Sequence, residues 1–598
     1  MNDNTLDLEK AFAHTYSTST LRTYGPRAQE SFLTLASTAA ESYDSRIDEK
    51  HRDSVIGWSP TSPTFPDPAH LHVETRDRLA PITEQSSKYP SPRRSGDGVA
   101  IAVEEDLPAK AGTSPSRWLR WNFFSYYRRL FSLVFIGNMV ALIVLLTRPN
   151  KPDIEGFAGI TYLSTITAAA INLVVAIIAR NEHFVNTLFY LSVSVPLSAP
   201  MWLRARVAKI YCYGGLHSGC GTAAVIWYIV FSGLVARHIA IRPHIQPAIA
   251  VLTFIILALL LLITIFAHPI LRQRFHNSFE NTHRLAGWTI IGFFWAQVVL
   301  TAYYASQPAL SSNTGIQLVN TPALWCLIIL TCLIIYPWLR LRYRVVHAEQ
   351  LSPHAIRLHF DHTMPTYCMG ARITDSPLRE THAFATIPNA LYPSGSVIEP
   401  KVEERVDSPI SPTFLHNTPS TNPNPKKGFS ILISKAGDWT SKIIANPPSH
   451  IYFRGAPTIG VLRVATLFHS CVVVTTGSGI GPCLSLFNGY AHSPQRNRPT
   501  LNIRILWSTP SPVKTYGQGI VDEVMAADPR AKIIDTRALG VDENGVKRRP
   551  DMVREAWKLV REMGAEAVVV IGNPMVTRKV VYAMETRGVP AFGPIWDS

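Results

Sequence analysis

The residues of this chain that can do chemistry fall into a few groups. Gly477, Gly479 and Gly481 lie between Thr476 and Pro482 in TTGSGIGP, directly behind the β-branched run Val472-Val473-Val474-Thr475. A glycine-rich loop that follows a strand and opens a helix lets backbone N–H groups approach a dinucleotide pyrophosphate, at the positive end of the helix. His217 and His283 form the second group. Both sit near the same end of apolar stretches, and imidazoles from two helices are a common axial pair for a low-spin haem. The same pair can also serve as hydrogen-bonding glue between helices. His268, His276 and His238 read as interfacial.

Six apolar stretches, at about 129–147, 157–179, 207–235, 246–267, 284–305 and 321–338, must position these histidines. Each is near the length needed to cross roughly 30 Å of hydrocarbon. Between the second and third, His183–Met201 is apolar but broken by Pro196 and Pro200, which predicts a helix lying in the interface or re-entering it. Six crossings put both ends on one side. Arg117, Arg120, Arg128, Arg129, Arg180, Arg204, Arg206, Lys209, Arg272, Arg274, Arg284, Arg340, Arg342 and Arg344 flank the spans on that side, against Arg148, Lys151, Arg237 and Arg242 opposite. The positive-inside rule therefore predicts cytosolic termini. MNDNTLDLEK holds no apolar core, so the first span is expected to act as an uncleaved signal.

Composition agrees with a membrane protein carrying polar parts: 598 residues, 47% hydrophobic, net charge +15. The basic residues gather beside the apolar spans rather than in an RNA-binding motif, which excludes nucleic acid and favours anionic lipid as partner. Seven cysteines without a C-x-x-C spacing exclude a disulfide framework and a zinc site.

Residues 1–116 are rich in Ser, Thr, Pro and charge and predict a disordered tail. The bundle is expected at 117–340. An antiparallel barrel is expected at 341–465, interrupted by a disordered insertion at 392–427. From 466 to 598, strands alternate with helices as in a doubly wound α/β nucleotide-binding domain. After its second strand, Ser508, Thr509, Lys514 and Tyr516 offer hydroxyls and a cation to a 2′-phosphate, which favours NADPH over NADH.

THAFATIP (Thr381–Pro388), AGDWT (Ala436–Thr440), RGAPTIG (Arg454–Gly460) and the glycine loop together resemble the flavin and NADPH module of ferric reductases and NADPH oxidases, a ferredoxin-NADP reductase-like fold. YGGLHSG (Tyr213–Gly219), FENTHRLAGW (Phe279–Trp288) and GVPAFGPIWDS (Gly588–Ser598) resemble fungal TmpA-type integral membrane proteins and the membrane C-terminal halves of fungal adenylation-domain proteins. The resemblance implies that His382, Phe384, Asp438, Trp439, Thr440 and Gly455 contact FAD. It implies that Gly572 and Pro574 sit near the nicotinamide, and that Phe592 or Trp596 covers the flavin ring. The family pattern departs at Ala383 and Ala385, and at Gly572-Asn573-Pro574, where a thiol is missing. Two-haem relatives carry a second histidine pair, absent here near Phe231 and Ala296–Gln297, so one haem b at most is implied. The expected function is an integral membrane oxidoreductase passing electrons from NADPH through FAD to a haem or small acceptor. The alternative is a membrane sensor that keeps the fold without turnover.

Overall fold

A computed structural model describes residues 107–148, 156–157, 160–241, 247–306, 313–363, 365–389, 428–491, 501–541 and 545–595. All of them belong to one compact unit, Val103–Ser598. Most of the expected tail (1–106), the insertion at 392–427 and Trp596 lie outside the described residues.

The last ten residues of the expected tail are folded. Around the short helix α1 (Ser114–Trp118), Ala111 N–H donates to Thr586 O (2.7 Å), Arg587 Nε donates to Pro108 O (2.7 Å) and Lys110 lies over the Tyr582 ring. Composition marks such a segment as polar, but its order comes from contacts with residues about 470 positions later, which no local pattern shows.

The helical bundle follows: α2 (Tyr126–Leu146), α3 (Tyr162–Ile178), α4 (Glu182–Val193), α5 (Met201–Val207), α6 (Gly214–Ile241), α7 (Pro247–Ala267), α8 (His276–Ser306) and α9 (Pro322–Leu339). Among the described residues five helical segments are long and apolar enough to cross a membrane, the α5–α6 stretch counting as one; α3 and α4, bent by 65° at their break, form a sixth together. Large aliphatic side chains face outward on α2, with Leu133 71% and Ile136 57% exposed. Gly215 and Gly219, four residues apart on α6, allow close packing on α2. A Cβ would stand 2.2 Å from Tyr127 O at the first and 3.0 Å from Phe131 O at the second.

His183–Met201, expected to lie in the membrane interface or to re-enter it, packs one face on the domains that follow. Helix α4 buries Val185, Phe189 and Val193 in the same apolar core as Ala465, Val473 and Trp507 of the following domains. Asn186 donates to Pro457 O (2.9 Å) and accepts from Ile459 N–H (2.8 Å). The segment is apolar because it is a protein–protein seam, which hydropathy cannot tell from a lipid-facing one.

After the bundle come β1 (Arg342–Val345), β2 (His347–Ser352), β3 (Ala355–Phe360), β4 (Met369–Thr374), β5 (His382–Ala385), β6 (Ile387–Pro388), β7 (Phe429–Ser434), helix α10 (Asp438–Ala445), β8 (His450–Phe453) and β9 (Thr458–Ile459). These strands form two antiparallel sheets, not the closed barrel expected: β9-β4-β8-β1 with β5 on β4, and β2-β3-β7-β6. Ile356, Leu358, Phe360, Ile373, Ile431, Ile433 and Ile451, all fully buried, fill the space between.

The last domain is a five-stranded parallel sheet in the order β12-β11-β10-β13-β14, where β10 is Ser470–Thr476, β11 Asn502–Thr509, β12 Lys532–Asp535, β13 Ala567–Ile571 and β14 Ala591–Phe592. Helices α11 (Ile480–Ala491), α12 (Pro512–Tyr516), α13 (Gln518–Ala527), α14 (Met552–Met563) and α15 (Pro574–Glu585) connect or flank the strands. Strands buried on both faces explain the unbroken runs CVVVT and AVVVI, since no alternation is needed where helices cover each side. The chain reverses direction at β10, whose neighbours are β11 and β13. Doubly wound sheets bind ligands at such a switch point.

Candidate functional site

The glycine loop lies at that switch point. Thr476 ends β10, Gly477–Gly479 make a single 3₁₀ turn, and α11 begins at Ile480. Gly477 has φ +53°, the left-handed region a side chain rarely occupies. Its carbonyl accepts from Trp507 Nε1 (3.0 Å), which fixes the loop to β11. The three glycines differ in what they permit. A Cβ on Gly479 would stand 2.4 Å from Ile571 O and 2.7 Å from Thr475 Oγ1, inside the sheet. Gly479 therefore lets helix and strands pack, and the space a side chain would fill there is not that of a bound pyrophosphate. Gly481 is buried against Leu432 of β7 at ordinary contact distance (3.5 Å), and Pro482 follows it in the first turn of α11.

Of the residues read as a 2′-phosphate site, Ser508, Thr509 and Tyr516 are buried beneath the loop and only Lys514 faces out. At the neighbouring strand end, a Cβ on Gly572 would meet Thr476 Oγ1 at 2.8 Å. Asn573 caps α15 through Val576 N–H (2.9 Å), with Pro574 at the first helical position. Gly572, Asn573 and Pro574 form an open rim beside Thr476. None of the three is a cysteine.

His382 and Phe384 lie on one face of β5, and both rings stack on Trp439, at 4.2 and 5.9 Å between centroids. Trp439 is 9% exposed and donates from Nε1 to Asp375 (3.3 Å). Burial lowers the pKa of His382, opposed by Glu280, Glu380 and Asp375, and its Nε2 has no partner. Trp439 is thus a packed core residue, not an exposed platform. Thr440 Oγ1 is engaged by Ala436 and Gly437 N–H (2.9 Å each), while Asp438 projects into solvent at the start of α10.

Two of the residues implied to contact or cover a flavin are taken up by packing. Gly455, with φ +75°, donates N–H to Pro337 O (3.1 Å), and a Cβ there would meet Glu182 Oε1 at 2.5 Å. It belongs to the joint between bundle and sheets, where the buried Glu182 pairs with Arg372 (2.6 Å). Phe592 is fully buried in edge strand β14, packed on Phe468 and lying under the Lys209 ammonium at 4.6 Å. Sequence position near the chain end could not show that this aromatic enters the sheet.

His217 and His283 come together, with ring centroids 6.3 Å apart at 61°. His217 Nδ1 bonds Ala176 O (2.8 Å), and His283 Nδ1 is buried without a partner. Farther along the same helices, Tyr228 and Gln297 form a buried chain of hydrogen bonds with Thr253 of α7.

A pair of buried latches escaped sequence reading. Between the bundle and the last domain, Arg204 bonds Glu566 (2.9 Å) and Leu467 O (2.9 Å). Lys209 pairs with Glu585 and donates to Ala591 O (2.6 Å), and Trp121 Nε1 donates to the other Glu585 oxygen (2.7 Å). The only sequence signal was that these cations stood next to an apolar span.

Residues 461–598 match the family model described as adenylate-forming reductase 03009, C-terminal domain. The chain is 38% identical over 496 residues to adenylate-forming reductase 03009 of Coprinopsis cinerea and 37% identical over 498 residues to adenylate-forming reductase 06235 of the same fungus. Each alignment covers 83% of this chain and 42% of the relative, so the chain spans less than half the length of either. These matches overturn the resemblance to TmpA-type proteins and to ferric reductases and NADPH oxidases. Among solved structures, ferredoxin-NADP+ reductases from Plasmodium falciparum and Neisseria gonorrhoeae align with 42% and 43% of this chain, at 12% and 11% identity and a TM-score of 0.29 for both, covering 95% and 99% of those chains. Likeness at that score carries no weight for function, and the chain is placed by its similarity to the two adenylate-forming reductases.

Proposed function

We propose that this chain is a membrane-embedded oxidoreductase that takes hydride from NAD(P)H, passes electrons through a flavin, and delivers them to one haem b or a small acceptor. The observation that carries the reading is the Thr476–Gly479 loop at the switch point of a doubly wound sheet, next to a domain of antiparallel strands. The word reductase in the names of both relatives supports the reaction class. Backbone N–H groups of Gly477 and Ser478 would hold the pyrophosphate, with Gly572–Pro574 on the nicotinamide side. Lys514 is the one member of its group placed to meet a 2′-phosphate.

For the flavin, the unpartnered His382 Nε2 is the group in need of a ligand atom. Trp439 supports His382 from below, and Phe384 packs beside it. A bound flavin would convert a two-electron hydride into single electrons. For the haem, His217 and His283 would supply the two nitrogens, their ring centroids standing 6.3 Å apart. The bond from His217 Nδ1 to Ala176 O leaves Nε2 for iron. Six crossings, cytosolic termini and an anionic bilayer complete the proposal.

The visible spectrum of the purified full chain tests it. Flavin absorbance is expected, with at most one haem per chain, the haem lost in both His217→Ala and His283→Ala. A spectrum without flavin, and no thermal stabilisation by FAD, overturns the oxidoreductase reading. One specific arrangement favours a second reading, a sensor that binds nucleotide without turnover. Asp438 places a carboxylate at the start of α10, and the Trp439 face is already taken by His382.

A further inference from the structure

Residues 107–130 form a strap between the last domain and the first apolar helix, and its two faces differ in kind. The inner face is bound to α15: Trp121 donates to Glu585 and meets the Tyr582 ring edge-on at 6.0 Å, while Ala111 and Pro108 hydrogen-bond Thr586 and Arg587. The outer face carries Trp118 (46% exposed), Leu119 (46%), Phe123 (50%) and Phe124 (44%). These follow a one-turn π-helix, Leu119–Phe123, which sets Trp121 inward and its neighbours outward.

Arg117, Arg120, Arg128 and Arg129 lie among these rings, and no Asp or Glu occurs between residues 107 and 152. Arg120 rests on the Trp121 ring at 4.7 Å, and Arg129 lies over Tyr126 at 4.9 Å while bonding Phe124 O (2.7 Å). The aromatic patch runs without interruption into the outward aliphatic face of α2. Exposed aromatic rings interleaved with arginines, continuous with a lipid-length apolar helix, have the chemistry of an anionic headgroup layer: rings at the glycerol level and guanidinium groups on phosphate or carboxylate.

We propose that the strap binds the anionic headgroup surface of the bilayer and thereby holds the last domain against the membrane, so that headgroup charge controls how firmly α15 is docked. This rests on the membrane-embedded reading above. It needs no flavin, haem or turnover.

The test is hydrogen exchange of the full chain in nanodiscs of phosphatidylcholine alone or with added phosphatidylserine, at low and high salt. Slower exchange is expected in both 114–124 and 579–587 as phosphatidylserine rises, reversed by salt. About fivefold loss of that response is expected for each arginine removed in Arg120→Gln, Arg128→Gln and Arg129→Gln. Trp118→Ala with Phe123→Ala is expected to uncouple the strap while leaving exchange in 470–487 unchanged. Residues 133–146 report the span. Strong protection there with a strap indifferent to phosphatidylserine overturns this proposal alone, and no protection there overturns the membrane reading together with it.

Discussion

Replacing Gly479 by alanine inserts one carbon atom where the backbone of the neighbouring strand already stands. The added Cβ would sit 2.4 Å from Ile571 O and 2.7 Å from Thr475 Oγ1. Attractive contact begins at about 3.5 Å, so roughly 1 Å must be recovered by movement of α11 away from β13. The obstructing atom is a backbone carbonyl in a five-stranded sheet and cannot rotate aside. Overpacking of this kind costs about 1–3 kcal/mol, and the rigid obstacle places this case toward the upper end. Gly481→Ala is the control, since its Cβ meets Leu432 at 3.5 Å, an ordinary contact, and should change stability by less than about 0.5 kcal/mol. Gly477→Ala falls between them at about 1 kcal/mol, the cost of its φ of +53°. Hydrogen exchange of 470–487 in the full chain reads all three. An exchange rise of roughly tenfold or more is expected for Gly479→Ala, and almost none for Gly481→Ala, at 1.4 kcal/mol per tenfold. Equal exchange in the two variants would refute the packing argument. Unchanged exchange in Gly479→Ala combined with loss of NADPH-induced protection would return that space to the pyrophosphate.

Lys209→Met strands the Glu585 carboxylate with only the Trp121 indole, and about 3–5 kcal/mol of docking stability should be lost, seen as faster exchange across α15. Burial pushes the Glu566 carboxyl up, but the Arg204 guanidinium and the His469 N–H outweigh it and hold the pKa below its ordinary value of 4.5. The stability this contributes is complete above that value and is lost as pH falls through the lowered one, so Glu566→Gln should weaken docking at neutral pH and remove this part of its acid dependence. The thiols of Cys368, Cys471 and Cys483 are raised by burial, that of Cys483 to about 12. None of the three should react with maleimide at pH 7 before unfolding, whereas Cys332, exposed on α9, should label with a membrane-permeant reagent; mass spectrometry of the labelled peptides checks both.

Where a feature is set by neighbours along the chain, the sequence displays it. The runs CVVVT and AVVVI and the loop after the first of them require no knowledge of partners, because strand period and loop chemistry are local. Contacts between distant segments are another matter. Gly479 looks like a phosphate-cradling glycine until Ile571, 92 positions later, is placed against it. The aromatic character of Trp439 and Phe592 suits both a cofactor face and a core, and only the packed fold decides between them. Helix α4 has the hydropathy of an interfacial helix because one apolar face suits either lipid or Ala465 and Val473. The short strands after the bundle were readable as antiparallel, but their division into two sheets depends on which edges pair, and that leaves no periodic mark.

The latches at Arg204 and Lys209 also bear on the order in which the molecule is assembled. Their acids, Glu566 and Glu585, lie 362 and 376 residues further along the chain. At roughly 5–20 residues per second of synthesis, between about 20 seconds and more than a minute passes before the acids exist. During that interval two cations destined for burial have no counter-charge, so α5 and its neighbourhood cannot take their final position. The helices ahead of them can form, but the end of the bundle that carries Arg204 and Lys209 must wait, exposed to chaperones and proteases, until α15 has left the ribosome. A nascent chain stopped before residue 566 should therefore be held as incomplete and cleared, and completion of the parallel-sheet domain becomes the signal that the latches can close.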